Sequence, residues 1–396
     1  MSEMIPLETA LERIVGSVEP LAPCALPLLD ADGCVLAEDC IATRTKPPFA
    51  VSAMDGYALT NSPSAGERLN VIGEVPAGAM FSGTVSAGEA VRIFTGAPIP
   101  SGARHVLIQE EAKREGGIIT VSQNPGNGAN IRPEGGDFRL GDILIAKGTQ
   151  LTPQHLALAA SGNHPELFVH PKPSIAVMMN GNELTWPGNN APDDAIIASN
   201  GFGLATLAQR YGAKLHDLTL IRDDQSELEA YIAKSEADIL VTIGGASVGD
   251  YDLIRPALEA QEYALDIPKV ALRPGKPTLF GRKGRKTVLG LPGNPVSSMV
   301  SAIIFLRPLI DQLAGRNPTP LLALDEATLG DNLPANGPRA HFMRAIYDAN
   351  GNLVPVSSQD SSLLRLLGNA DALIYRPAHA NAASEGTRCA TLPLPK

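Results

Sequence analysis

The chain has 396 residues, with 32 Lys and Arg against 42 Asp and Glu, a formal charge of -10 at pH 7. A chain of that charge repels polyanions, which excludes general binding to nucleic acid or to an anionic membrane surface. At 44% hydrophobic and 19% charged the composition is globular, so disorder is excluded as the main state.

At roughly 150 residues per domain the length suits two to four domains. Its 38 glycines and 33 prolines exceed the usual combined share of roughly 12%, and aromatics are only 4%, which favours turns and β structure over a helical bundle. The N-terminal residues lack the basic flank and apolar run of a signal peptide. Cys24, Cys34, Cys40 and Cys389 form no CxxC pair and no zinc-ligand spacing, so a reducing cytoplasm is the expected location.

Leu7, Leu11, Ile14, Val15 and Val18 recur at helical spacing until Pro20 and Pro23 stop the pattern. Short apolar runs between turn residues then predict a β domain over 46–149, with strands at Leu69 to Val75, Ala90 to Phe94, Val106 to Gln109 and Ile118 to Val121. Thr152 to Ser161 is again helical, so 1–45 and 150–172 read as a helical domain into which the β domain is inserted. From 173 to 318 strands at Ile175 to Met179, Leu215 to Ile221 and Ile239 to Ile243 alternate with helices at Asn200 to Tyr211, Ser226 to Lys234 and Leu253 to Glu262. That rhythm predicts a multidomain α/β protein with a mostly parallel central sheet. Residues 278–291 read as a hairpin. Asn294 and Pro295 then suit the N-cap and first turn of an apolar helix. Its serines and Arg307 keep that helix short of the roughly 20 apolar residues of a membrane span. Residues 319–396 read as a C-terminal β module.

In open parallel sheets ligands bind at the carboxyl ends of the strands. Three loops fall there: Asn180 to Glu183, Gly244 to Asp250, and Pro292 to Pro295. Glycines such as Gly244, Gly245, Gly249 and Gly293 let backbone N–H groups approach an oxyanion. Small residues after a strand also simply make turns, so it is the set of three that points to a site.

Between Ile267 and Ile310 there is no acidic residue, while eight are basic. The Arg282 to Lys286 turn reads as a solvated hairpin tip. Arg273 and Lys276, set around Pro274-Gly275, are the better anion ligands. Glu183, Asp223, Asp250 and Asp252 lie at strand or loop ends, where carboxylates beside ligand phosphates suit Mg²⁺. Asp224 reads equally well as an ordinary loop residue. No histidine cluster or nucleophile elbow is present, which disfavours covalent hydrolase chemistry.

Four motifs occur in order along nearly the whole chain: Pro47-Pro48-Phe49-Ala50-Val51-Ser52-Ala53-Met54-Asp55-Gly56-Tyr57-Ala58, Gly244-Gly245-Ala246-Ser247-Val248-Gly249-Asp250-Tyr251-Asp252, Arg273-Pro274-Gly275-Lys276-Pro277 and Leu291-Pro292-Gly293-Asn294-Pro295-Val296-Ser297. The set resembles the MoeA family of molybdopterin molybdenumtransferases, related to the E domain of gephyrin. The resemblance implies an interrupted helical domain, a β insertion, an α/β molybdopterin-binding domain and a C-terminal β-barrel. It also implies a homodimer with clefts shared between subunits. The implied reaction is Mg²⁺-dependent insertion of molybdate into adenylylated molybdopterin with release of AMP. A molybdopterin adenylyltransferase and recipient molybdoenzymes are the implied partners.

On the same resemblance Ser247, Lys276, Pro292 and Gly293 contact ligand, Glu183, Asp223 and Asp252 serve metal or catalysis, and Asp137 is an acidic position of the insertion. Ser361, Arg339 and Arg344 match a C-terminal pattern that faces the cleft. The chain departs from the family in three places. Ala50 replaces the usual Asp, Asn180-Gly181-Asn182-Glu183 stands for Thr-Gly-Asp-Glu, and Arg273 replaces a Lys. Losing one such carboxylate contact commonly costs on the order of 10- to 1000-fold in activity or affinity. Two readings follow: a working or slowed molybdenumtransferase, or a weakened relative that carries molybdopterin or the mature cofactor.

Overall fold

The helical and strand patterns find their partners in two separate units of a computed structural model. It describes residues 4–122, 129–189, 192–244, 253–267, 269–318 and 320–395. One unit comprises 1–24, 33–35 and 170–396, the other 25–32 and 36–169. Helix α1 (Leu7–Gly16) belongs to the first and buries Leu7, Leu11, Ile14 and Val15 along one stripe. Helix α2 (Pro153–Ser161) belongs to the second and starts at a capping box in which Thr152 and His155 satisfy each other's free backbone N–H groups.

The second unit is built on a six-stranded sheet in the order His105–Ile108, Gly56–Leu59, Glu89–Ile93, Arg68–Val75, Ile118–Val121, Ala112–Glu115. Side chains alternate across it. Tyr57, Leu59, Leu107 and Ile119 form one apolar cluster, and Ala58, Val91, Ile93 and Val106 form another.

The first unit contains the predicted α/β sheet. Its strands are β1 (Ser174–Asn180), β2 (Lys214–Ile221), β3 (Ile239–Ile243), β4 (Ala264–Ile267), β5 (Leu279–Lys283) and β6 (Lys286–Leu291), in the order β2-β1-β3-β6-β5-β4. β2, β1, β3 and β6 are parallel, and the hairpin β5–β6 and edge strand β4 are antiparallel. Because the chain leaves β1 toward β2 and returns on its other side to β3, the order reverses beside β1, which is where open α/β sheets form their crevice.

Period-two burial divides the core. Ile175, Val177 and Met179 face one cluster with α3 (Asn200–Arg210) and α6 (Pro295–Leu313), while Ala176 and Met178 face a second with α4 (Gln225–Lys234) and α5 (Ile254–Ala260). On α6, Val296, Val300, Ile304 and Leu309 are fully buried, and each such side chain contributes about 1.5–3 kcal/mol. Helix α6 is long and apolar enough by composition to cross a membrane, yet 78% of its apolar window is buried inside the protein, as in a core helix.

C-terminal strands Ala340–Tyr347, Ala372–Arg376, Arg388–Pro393 and Asp325–Thr328 form a mixed sheet with the short strand Leu272–Arg273, which runs parallel to Ala340–Tyr347. That last pairing ties the basic turn after β4 to the C-terminal module.

Candidate functional site

The parallel strands stop in register: Met179 pairs with Ile243, and Ile243 with Leu291. The residues that follow, Asn180, Gly244 and Pro292, therefore line one edge of the sheet. They border a cleft of about 520 Å³ whose walls also include Glu183, Leu184, Ile196, Asn200, Pro277, Gly293, Asn294 and Pro295. Among the described residues no Lys or Arg lines it.

Two glycines shape its floor. Gly244 has φ +98°, and a Cβ there would lie 3.2 Å from the Asn180 carbonyl oxygen. A Cβ on Gly293 would meet only the Gly244 Cα at 3.9 Å, so this glycine leaves space open to the cleft.

Asn180, Asn182 and Asp223 form a polar knot at the ends of β1 and β2. Asn180 Nδ2 donates to Asp223 Oδ1 at 2.9 Å, the Asn182 amide donates to Asp223 Oδ2 at 3.3 Å, and the Asp223 amide donates back to Asn182 Oδ1 at 3.2 Å. Asn180 Oδ1 is buried and has no partner among the described residues. Asn182, a departure from the family pattern, thus takes over a structural link to Asp223 while bringing no charge of its own.

A second cavity, of about 410 Å³, adjoins the cleft and shares Pro277 with it. Arg273, Lys276 and Arg339 line it together with Ser297, Gln359, Asp360 and Ser361. Three cations face a single carboxylate there. Hydrogen bonds from the Ser362 amide and hydroxyl hold Asp360 below the usual carboxylate range.

The sequence folds into this arrangement for local reasons. Gly275, at φ +114°, makes a turn in which any Cβ would collide with Ser301 Oγ on α6, and Thr278 Oγ1 ties the turn by donating to the Gly275 carbonyl at 2.8 Å. Arg273 stands opposite His341 across the parallel pairing. His341 is 7% exposed, and burial first, then Arg273, Arg339, Arg376 and Arg344, push its pKa down to about 4. The imidazole is neutral at neutral pH, so the cavity's positive charge comes from Lys and Arg alone.

Asn294 occupies the predicted N-cap position of α6 with Pro295 following, but its side chain makes no capping bond. It donates instead to Ser361 Oγ at 3.0 Å, and the Val296 amide donates to the Ser361 carbonyl at 3.1 Å. Asn200 Nδ2 donates to the Gly293 carbonyl at 2.7 Å, fixing the Pro292-Gly293 turn from α3.

Of the residues singled out from sequence, the two cavities gather Glu183, Gly244, Arg273, Lys276, Pro292, Gly293, Asn294, Pro295, Arg339 and Ser361, and Asp223 is bonded to the cleft residue Asn180. Gly245, Ser247, Gly249, Asp250 and Asp252 lie outside the described residues. Asp137 lies in the other unit, where it pairs with Lys46 at 3.3 Å. Arg344 lines neither cavity: it is 1% exposed, and its guanidinium donates to main-chain carbonyls of the 358–363 loop. Asp224 caps α4, accepting from the Glu227 amide at 3.0 Å.

Sequence reasoning passed over Asn180 and Asn200 as ligand-site residues. The available signal was an amide at the last position of an apolar strand and another at the first position of a helix.

Among the described residues no three His, Cys, Asp or Glu side chains form a metal-holding group. The donor chemistry nevertheless suits Mg²⁺: Glu183 in the cleft wall and Asp223, bonded to Asn180, offer hard carboxylate oxygens, and Asn180 Oδ1 has no partner among the described residues.

A cleft with no lysine or arginine among its described walls, at the switch point of an α/β sheet and joined to a cationic cavity, suits a small ligand with an anionic end. Comparison with known proteins makes the assignment specific. Three family models match in order: the MoeA N-terminal region (domain I and II) over 5–162, a "probable molybdopterin binding domain" over 176–312, and the MoeA C-terminal region (domain IV) over 326–394. The chain is 32% identical over 394 residues to molybdopterin molybdenumtransferase 2 of Mycobacterium tuberculosis, covering 95% of this chain and 96% of that one. It is 35% identical over 352 residues to the molybdopterin molybdenumtransferase of Haemophilus influenzae, covering 88% and 87%. The crystal structure of a molybdopterin biosynthesis MoeA protein from Pyrococcus horikoshii superposes with a TM-score of 0.81 at 28% identity, with full coverage of both chains. The chain belongs to the MoeA family.

Proposed function

We propose that the protein is a molybdopterin molybdenumtransferase of molybdenum cofactor biosynthesis, inserting molybdate into adenylylated molybdopterin with release of AMP. The observation that carries this reading is the pair of cavities meeting at Pro277, one without cations and floored by glycines, the other lined by Arg273, Lys276 and Arg339. A pterin heterocycle suits the first and an oxyanion the second. The names of the relatives agree with the same chemistry.

In this reading Arg273, Lys276 and Arg339 attract and orient molybdate or phosphate oxygens by charge. The Gly244 and Gly293 floor admits a flat ring close to backbone. Asn180 fixes Asp223 through its side-chain amide, and Asp223 and Glu183 are the described carboxylates that would hold Mg²⁺. Mg²⁺, when bound, supplies charge neutralisation for the substrate's phosphates.

The same reading places the protein in the cytoplasm, between a molybdopterin adenylyltransferase and recipient molybdoenzymes, as a homodimer with shared clefts. Ile41 and Ile143 are cross-strand partners in the second unit and are 47% and 59% exposed, with Leu140 66% exposed, an apolar surface that a second subunit would cover. Light scattering tests this, and a monomer at micromolar concentration counts against it.

The functional test is incubation of the purified chain with adenylylated molybdopterin, molybdate and Mg²⁺. AMP release above a blank is expected. Tight binding with no AMP release would establish the carrier reading instead.

A further inference from the structure

Besides the shared Pro277, the cleft and the cationic cavity are linked by a side-chain hydrogen bond from Asn294 to Ser361, and Ser361 is supplied by the loop 358–363. This loop has no strand or helix of its own to hold its shape. Its main-chain carbonyls converge on a single side chain. Arg344 donates through Nη1 to the Leu363 carbonyl at 3.1 Å, and through Nη2 to the carbonyls of Ser358 at 3.0 Å and Asp360 at 2.9 Å. Gln359 closes the clasp: its Oε1 accepts from the Arg344 amide at 3.0 Å and its Nε2 donates to the Arg344 carbonyl at 2.9 Å.

Arg344 itself sits on strand Ala340–Tyr347, paired in register with Leu373, and is among the largest fully buried side chains. We infer that Arg344 is a positioning residue, which moulds the 358–363 loop so that Ser361 meets Asn294 at the boundary of the two cavities. The inference rests on the proposed molybdenum insertion for its kinetic consequence, but not for its structural one.

The chemistry explains why arginine is used. A planar guanidinium presents five N–H donors at fixed angles and can serve carbonyls on several sides, whereas a lysine ammonium is a compact charge on a flexible stem. Removing the guanidinium leaves three loop carbonyls without this donor. It removes no group from either cavity, because Arg344 lines neither. Its effect must therefore pass through the loop, whose Gln359, Asp360 and Ser361 line the cationic cavity and whose Ser361 meets Asn294.

The test compares Arg344→Lys, Arg344→Met, Ser361→Ala and the double variant Arg344→Lys/Ser361→Ala in the full chain. Hydrogen exchange at the amides of 358–364 should accelerate in both Arg344 variants, whatever reaction the protein performs. In the AMP-release assay the molybdate KM should rise roughly 10- to 100-fold in both, the scale of a misplaced binding group, with a smaller change in kcat. Ser361→Ala should raise KM too, and the double variant should be little worse than Arg344→Lys alone, since the two residues act in series.

Near-wild-type KM in Arg344→Lys would show that charge alone suffices, and full multiplication of the two single effects would show that Arg344 acts independently of Ser361. Either overturns the inference, as does unchanged loop exchange. If the Arg344 variants do not fold, Gln359→Leu loosens the clasp from its other side and should raise loop exchange several-fold; because Gln359 itself lines the cavity, loop exchange is the deciding readout, and no change in it refutes the clasp. Absence of AMP release in the wild type would remove the functional reading while leaving the exchange result to decide the role of Arg344.

Discussion

Asn294 and Ser361 are 67 residues apart in sequence, and the amide of the first donates to the hydroxyl of the second at 3.0 Å. One stands at the first turn of the core helix and the other in a loop of the C-terminal module. The contact joins the wall of the glycine-floored cleft to the wall of the cationic cavity.

Replacing Asn294 separates the function of this contact from its stability. Asn294→Asp removes the donor but places a carboxylate at a helix N-terminus, where it gains about 0.3–1 kcal/mol. Thermal unfolding should therefore be unchanged or slightly later. AMP release should still fall, because the new charge faces the anionic ligand; equal activity in Asn294→Asp and wild type would refute the role given to this contact.

The two floor glycines should respond differently to the same added methyl group. Gly244→Ala forces a Cβ onto φ +98° beside the Asn180 carbonyl and should destabilise the first unit by about 1–3 kcal/mol. Gly293→Ala meets nothing closer than 3.9 Å, so it should fold normally while narrowing the cleft. Denaturant melts and pterin-ligand titration of the two variants read this contrast directly.

His341 predicts a stability loss on mild acidification. Its folded pKa is held down at about 4, from 6.5, so between those values the unfolded chain binds the extra proton. Stability from this residue is complete above about pH 6.5 and declines as pH falls toward 4, by at most on the order of 3 kcal/mol. Unfolding free energies at several pH values for wild type and His341→Gln should show a shallower acid slope in the variant. Parallel curves would exclude the residue as the source.

Asn182 tests the missing carboxylate. Asn182→Asp keeps the acceptor for the Asp223 amide and adds negative charge beside Asp223. Mg²⁺ should bind roughly tenfold tighter, an effect of the size expected for a neighbouring metal-site group, and AMP release at limiting Mg²⁺ should rise. Calorimetric Mg²⁺ titration showing no gain would remove Glu183 and Asp223 from the proposed metal site. Ala50→Asp, the companion restoration, should raise the rate if a carboxylate is needed there.

Much of this was legible in the sequence because the signals are local. The 3.6-residue stripe of α1, the strand-helix alternation after Pro173 and the proline after Asn294 each reflect constraints within a few residues. The basic stretch Ile267 to Ile310 likewise singled out Arg273 and Lys276, which line the cationic cavity. The order of motifs was enough to indicate the MoeA family.

Only tertiary structure decided which of these groups line a cavity. Arg339 and Arg344 are five residues apart on neighbouring positions of one C-terminal segment, yet one lines the cationic cavity and the other is buried under the loop that carries Ser361. Asn294, marked by its spacing as a helix cap, turns its amide across to another module. Spacing along a chain specifies strand, helix and turn, since those depend on near neighbours. Whether a polar side chain meets solvent, ligand or a distant carbonyl depends on packing between segments far apart in sequence.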